Sequence, residues 1–183
     1  MKTTKAAVLI ETKRPLCIAD IQIPPVAKGQ VLVKIRYSGI CHTQLSECQG
    51  VRGDDPFLPH CLGHEGSGIV RDVGNGVTKV KPGDNVIISW IKGSGADISS
   101  TTYLWGNRRV NAGGVTTFSR QSVISENRLT VIPNEISMES AALIGCAVPT
   151  GMGAVLNTAQ PPPGQRIAIF GTGGIGLCAV AGA

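Results

Sequence analysis

Short segments in which apolar and polar residues alternate dominate the first 130 positions of the chain. Apolar side chains recur at every second position from Val31 to Tyr37, the period of a strand with one buried face. Turn residues such as Asn75-Gly76 and Pro82-Gly83-Asp84 separate segments of this kind. The further segments predicted to be strands are 5–10, 16–23, 66–73, 85–90, 118–125 and 128–132.

The stretches between these strands predict one short helix and one long loop. Residues 43–48 favour a helix, and residues 93–114 are polar and rich in Gly and Ser, which is typical of a loop. Trp105 with Arg108 and Arg109 is interpreted as a solvated hairpin rather than a recognition patch, and His60 as a loop residue.

The pattern changes near residue 150. Helices are predicted from Ser137 to Leu143 and over 151–157, and the apolar run 166–170 leads into a glycine-rich turn and a helix of small residues. We therefore expect a mainly β domain over residues 1–150, followed by the first βα unit of an α/β domain over 151–183.

Composition and charge narrow the range of functions. The net charge of +5 is spread over scattered Lys and Arg without interleaved aromatics, which indicates a solvated surface rather than a nucleic-acid site. No signal peptide or bilayer-spanning stretch is recognisable, so a cytoplasmic location is the expectation and no membrane partner is predicted. In a reducing compartment the six cysteines favour metal ligation over disulfides.

The turn Gly171-x-Gly173-Gly174-x-Gly176 has the form of a dinucleotide-binding loop. Its glycines allow a tight turn and close approach to a pyrophosphate, whose charge the helix N-terminus stabilises. A glycine-rich loop beside a buried strand is the alternative interpretation. The residue that selects the ribose 2′-OH or 2′-phosphate is expected ~20 positions further on, so NAD and NADP both stay open.

Cys41, His64 and Cys146 are candidate metal ligands in three separate segments. Catalytic zinc takes three such ligands and keeps a fourth position open. A lone Cys or His is more often a buried or surface residue than a ligand, so spacing alone does not decide the matter.

The motifs taken together are stronger evidence for a metal site than the spacing of the three candidate ligands. The stretch Gly63-His-Glu-x-x-Gly68-x5-Gly74-x2-Val77, with Gly39-Ile-Cys-His-Thr43 before it and Ile144-Gly-Cys146 after it, resembles the zinc-dependent medium-chain alcohol dehydrogenases over almost the whole chain. The resemblance implies a GroES-like catalytic domain followed by a Rossmann domain. It also implies reversible oxidation of an alcohol to an aldehyde or ketone, with hydride passing to NAD or NADP, and a homo-oligomer at full length.

The resemblance also implies roles for individual residues. Cys41, His64 and Cys146 would bind one catalytic zinc, with the Glu65 carboxylate beside them, and a Lewis acid there would lower the pKa of an alcohol hydroxyl. The remaining residues would serve the proton path, the cofactor or the substrate: Thr43 contacting substrate oxygen, His42 meeting cofactor phosphate or extending the proton relay, Thr150 and the four glycines against the cofactor, and Trp90 lining the substrate pocket.

The sequence departs from the family in three respects. Residues 93–114 hold no cysteine, so the structural zinc of many members is not expected. Gln44 stands where Asp is frequent, and it offers the zinc-bound imidazole no charge. The chain is also short, which suggests a fragment of a longer enzyme. Two alternatives stay open: a zinc-free reductase of the quinone or enoyl type, and a non-catalytic binding or assembly module.

Overall fold

Two β-sheets form the framework of residues 2–183, the part of the chain that the computed structural model describes. Five strands close into a barrel in the order β1-β2-β7-β8-β4, and five form a second sheet in the order β10-β6-β5-β3-β9. The strands are β1 (Thr3–Leu9), β2 (Cys17–Gln22), β3 (Gln30–Ser38), β4 (His60–Cys61), β5 (Glu65–Val73), β6 (Asn85–Ser89), β7 (Thr102–Trp105), β8 (Arg108–Asn111), β9 (Gln121–Ser125) and β10 (Leu129–Val131).

Alternation along β3 divides its side chains between two cores. Val31 and Val33 are fully buried against Val70 of β5, whereas Leu32 between them packs into the barrel with Val123 of β9. The second sheet therefore covers the barrel with one face and builds its own core with the other. This arrangement confirms the mainly β fold that the alternation predicts.

Four α-helices occupy the segments between and after the strands: α1 (His42–Cys48), α2 (Met138–Leu143), α3 (Ala147–Gly153) and α4 (Gly174–Gly182). The Ser137 hydroxyl accepts a hydrogen bond from the Ser140 N–H and so caps α2, whose Ala141 packs against Ile87 and Ile132. A π-helix over Ala154–Ala159 continues α3. Within residues 2–183, every helix is too short or too polar to cross a membrane.

The prediction of a loop over residues 93–114 is wrong for the second half of this stretch, because β7 and β8 form a hairpin there. The turn lies between Trp105 and Arg108, where the sequence indicates a solvated hairpin. Tyr103 and Val110 face the barrel core and are at most 1% exposed. The apolar residues of β7 are consecutive rather than alternating, and Val110 is the one apolar residue of β8, so the period-two pattern is hard to recognise from sequence.

The apolar run 166–170 does not form the strand expected of a βα unit. Phe170 is 97% exposed, and no other strand among residues 2–183 pairs with the segment. A parallel strand needs at least one neighbouring strand to pair with and helices on both faces, so without a partner strand this run has no ladder to join. The glycine turn and the helix after it do form, and α3 begins four residues before the predicted Gly151.

The buried Glu126 carboxylate binds backbone N–H groups from the segment before β6 and from the loop after it. One carboxylate oxygen accepts the N–H groups of Thr78 and Lys79, both at 2.6 Å, and the other accepts the Ala96 N–H at 2.8 Å. Burial alone would raise the pKa of Glu126, but these hydrogen bonds lower it below its ordinary value. Glu126 is 1% exposed, so the bonds lie away from competing water.

Glu126→Gln is expected to lower the free energy of unfolding by about 2 to 3 kcal/mol, because an amide NH2 must face one of the three backbone donors. Since the carboxylate has a lowered pKa, its contribution is full well above pH 4.5 and fades as the pH falls through the folded-state pKa. Denaturant unfolding near neutral pH and below pH 4 measures both effects.

Glu135→Gln is the matched control, since Glu135 is exposed and has no hydrogen bond among the described residues. Equal stability of the two variants at neutral pH would contradict the anchoring role of Glu126.

Candidate metal centre

Cys41, His64 and Cys146 converge from three separate segments of the chain. Cys41 immediately precedes α1, His64 immediately precedes β5, and Cys146 immediately precedes α3. One ligand atom from each residue lies within 4.8 Å of the others. The three side chains therefore form a candidate site for a metal ion.

The Glu65 side chain packs between the segment that carries Cys41 and the segment that carries Cys146. Glu65 is the first residue of β5 and is 4% exposed, with its side chain between Gly39 and Gly145. A methyl group added at Gly39 would lie 2.5 Å from the carboxylate, and one added at Gly145 would lie 2.9 Å from the Glu65 Cβ. The two glycines next to the cysteine segments therefore allow the backbone to approach the buried carboxylate.

Hydrogen bonds hold the same segments in place. The Ala147 N–H donates to Glu65 Oε2 at 3.3 Å, and the Ser89 hydroxyl donates to the Gly145 carbonyl at 2.6 Å. The Thr117 hydroxyl donates to the Glu65 carbonyl at 3.1 Å. The Cys146 segment is thus tied to both β5 and β6.

Gln44 links the other two ligand segments through its side-chain amide. Its Oε1 accepts the Cys41 N–H at 3.2 Å, and its Nε2 lies 2.6 Å from His64 Nδ1. Gln44 is 4% exposed and belongs to the first turn of α1. The sequence identifies position 44 as a departure from the family. The structure adds that the Gln44 amide contacts both Cys41 and His64.

The electrostatics of the site favour a cation. Burial lowers the pKa of His64, which keeps the imidazole neutral at pH 7 and able to bind a metal. Burial, and then the charge of Glu65, raise the pKa of the Cys146 thiol. Burial also raises the pKa of Glu65, against the opposing hydrogen bonds from Ala147 and Cys146. A divalent cation would offset the negative charge that these groups cannot easily hold alone.

Two sulfurs and one imidazole nitrogen are a donor set that suits zinc. Tetrahedral zinc with bonds of about 2.0 to 2.3 Å places its ligand atoms roughly 3.5 to 3.8 Å apart. The 4.8 Å limit is about 1 Å wider, a gap that side-chain rotation can close. The residues present therefore fit the metal that the sequence resemblance implies.

A cleft of about 810 Å³ opens beside the candidate site, with His64 and Cys146 on its lining. Arg128 supports one wall of it: its guanidinium lies 5.4 Å from the centre of the Trp90 ring and also donates to the Trp90 carbonyl. Residues that line the cleft include Thr43, Gln44, Phe57, His60, His64, Trp90, Ile91, Cys146 and Thr150.

The other predicted site residues lie at different distances from this cleft. The Thr43 hydroxyl is 3.7 Å from Cys41 Sγ, and the Thr150 hydroxyl is 4.0 Å from Cys146 Sγ. His42 is exposed at the start of α1 and is not among the residues that line the cleft. Of the four turn glycines, Gly171 has a φ of 98°, Gly173 precedes α4, and Gly174 and Gly176 belong to its first turn.

Sequence reasoning missed the position of His60. The residue is in β4 rather than in a loop, and it lines the cleft. Its Nε2 lies 2.8 Å from Asp55 Oδ2, and its Nδ1 lies 3.1 Å from the Cys61 carbonyl oxygen. The two-residue strand is too short to leave a periodic signal, so its place on the cleft follows only from the closed barrel.

Comparison with known proteins gives a consistent result. Residues 27–134 match the family described as Alcohol dehydrogenase GroES-like domain. The chain is 39% identical to S-(hydroxymethyl)glutathione dehydrogenase of Photobacterium damsela subsp. piscicida and 40% identical to that of Synechocystis, each over 98% of the chain. It superposes with a TM-score of 0.84 on benzyl alcohol dehydrogenase from Acinetobacter calcoaceticus, at 26% identity and over its full length.

The chain spans 55% of the length of these two curated relatives and of that solved structure. The sequence alignments extend over 207 positions, more than the 183 residues of the chain, so the relatives carry inserted residues that this chain lacks.

Gly145→Ala is expected to destabilise the protein by about 1 to 3 kcal/mol and to weaken zinc binding, because the new methyl group would overlap the Ile88 carbonyl and Glu65. The overlap pushes Cys146 away from the other two ligands. Denaturant unfolding and zinc titration measure the two effects.

Gly153→Ala is the matched control, since a methyl group there meets only the Asn157 amide at 3.7 Å and the backbone is helical. Zinc binding by Gly145→Ala as tight as that of the control would show that this close approach does not position Cys146.

Proposed function

The chain belongs to the family of the Alcohol dehydrogenase GroES-like domain, and on that premise we propose that it carries the zinc-dependent catalytic site of an alcohol dehydrogenase. The reaction is reversible oxidation of an alcohol to an aldehyde or ketone with hydride transfer to NAD or NADP. The observation that carries the proposal is the convergence of two cysteines and one histidine from separate segments beside an open cleft.

Cys41, His64 and Cys146 hold the metal in this proposal. Three protein ligands leave a fourth position free, and the cleft gives a small molecule access to it. Zinc supplies Lewis acidity there, which makes the hydroxyl of an alcohol more acidic. Glu65, behind the ligands, contributes negative charge to the site and fixes the Cys146 segment through the Ala147 N–H.

Thr43 and His42 form the proton path in this proposal. Thr43 lines the cleft next to Cys41, so its hydroxyl can accept the substrate proton and donate its own. His42 is the next residue toward the N-terminus and is exposed, which suits a group that passes a proton to solvent or meets a cofactor phosphate.

The cofactor lies between the two parts of the chain in this proposal, with residues 1–150 as the catalytic domain and 151–183 as the start of the nicotinamide-binding domain. Thr150 lines the cleft and packs against the nicotinamide, while Gly171, Gly173, Gly174 and Gly176 approach the pyrophosphate at the start of α4. The protein orients and polarises the substrate, and the nicotinamide performs the redox step.

Trp90 is the aromatic wall of the substrate pocket. Its ring is held by Arg128 from behind and is 51% exposed, so one face is available to a bound alcohol. A pocket with Trp90, Phe57 and Ile91 on its lining favours an alcohol with an apolar body.

Purified protein is expected to contain about one zinc ion per chain, and Cys146→Ser to lose most of it, because two remaining ligands hold zinc weakly. Elemental analysis measures the ratio. Cys17→Ser, in the barrel sheet, is the matched control and is expected to keep its zinc. Equal zinc in the two variants, or none in the unaltered protein, would contradict the metal assignment.

Thr43→Ala is expected to lower alcohol-dependent reduction of the nicotinamide about 10²- to 10⁴-fold, because the proton loses its first acceptor. Thr43→Ser keeps the hydroxyl and is expected to retain most of the rate. Both variants are expected to bind zinc normally. Equal rates for Ala and Ser would remove Thr43 from the proton path.

A further inference from the structure

The Gln44 side chain has two different ends, and each end already has a partner. The Cys41 N–H lies 3.2 Å from Oε1, and His64 Nδ1 lies 2.6 Å from Nε2. An amide offers an acceptor at its oxygen and donors at its nitrogen, so the two ends are not interchangeable. With Gln44 only 4% exposed, water does not readily replace either partner.

The backbone determines which way the amide points. An N–H group can only donate, so the oxygen of Gln44 must face Cys41 if that bond is to form. This bond satisfies the backbone N–H of the residue that caps α1, and it is one half of a capping box whose other half joins the Gln44 N–H to the Cys41 side chain. The amide nitrogen is then left to face the imidazole.

The orientation of the amide fixes the tautomer of His64. The Gln44 Nε2 donates, so His64 Nδ1 must accept, and the proton of the neutral ring lies on Nε2. Because Nδ1 is engaged by Gln44, Nε2 is the ring nitrogen left for a metal. A protonated nitrogen has no lone pair to offer a metal ion.

Metal binding therefore conflicts with the two hydrogen bonds of the Gln44 amide. A metal on Nε2 moves the ring proton to Nδ1, where it meets the NH2 end of Gln44, and two donors then oppose each other. Turning the amide by 180° relieves this, but it places the NH2 against the Cys41 N–H and removes the hydrogen bond at the start of α1.

We propose that Gln44 is a positioning residue that holds His64 in the Nε2–H tautomer and thereby weakens zinc binding, so that loading the metal requires the Gln44 amide to turn. The inference rests on the proposed zinc site. A carboxylate at position 44 would remove the conflict, since both of its oxygens accept and can serve the Cys41 N–H and a His64 Nδ1–H together.

The first test reads the tautomer directly in the metal-free protein. Nitrogen NMR of the histidine rings is expected to show His64 with its proton on Nε2 in the unaltered protein and on Nδ1 in Gln44→Glu. This measurement needs no metal and no activity. A proton on Nδ1 in the unaltered protein would overturn the proposal.

The second test measures zinc affinity by competition with a chelator. Gln44→Glu is expected to bind zinc about tenfold tighter or more than the unaltered protein, the size of effect that partners of metal-bound histidines usually have. Gln49→Glu is the matched control: it adds the same charge on the exposed end of α1, away from His64, and is expected to change the affinity little.

The outcomes distinguish the role of Gln44 from the existence of the zinc site. Equal affinity in the unaltered protein and Gln44→Glu, or an equal gain in Gln49→Glu, would overturn the role of Gln44 and leave the zinc site standing. Absence of zinc binding in all three proteins would overturn the metal site, and with it the proposed effect of Gln44 on loading.

Discussion

A buried carboxylate determines where the three candidate ligands lie. Glu65 follows His64 directly, contacts Gly39 before Cys41, and accepts a hydrogen bond from Ala147 after Cys146. It therefore contacts all three ligand segments. Burial raises its pKa, and the backbone donors that oppose this come from the Cys146 segment itself. The carboxylate thus stays ionised more readily when that segment is in place, which couples the charge of the site to its geometry.

The site brings together groups that are negative when ionised, namely two half-buried thiols and the buried Glu65 carboxylate. Cys41 and Cys146 are the N-cap residues of α1 and α3. Burial, and then the charge of Glu65, raise the pKa of the Cys146 thiol. A fold that brings such groups together loses stability unless a cation joins them. The arrangement is therefore easier to explain as a metal centre than as a structural cluster of thiols.

The sequence predicts the strands with regular alternation, and it predicts the ligand set through motifs whose order resembles a known family. It does not predict contacts that depend on the closed barrel or on a single amide. Tyr103 belongs to the short apolar run 103–105 and Val110 stands among polar residues, so their strands are recognisable only once the barrel surrounds them. Residues 166–170 have the composition of a buried strand, but composition does not supply the neighbouring strands that a parallel ladder requires. The bond between Gln44 and His64 depends on the rotamer of one side chain.

Two buried glutamates organise the chain in a similar way. Glu65 gathers the candidate ligands, and Glu126 gathers the backbone N–H groups of Thr78, Lys79 and Ala96. Family resemblance associates the region of residues 93–114 with a structural zinc, yet that stretch has no cysteine. In this region the buried Glu126 carboxylate accepts backbone N–H groups from both sides of β6. Gly95 allows this arrangement, because its φ of 107° brings the backbone against the Glu126 side chain. These hydrogen bonds therefore fix the loop from within the protein.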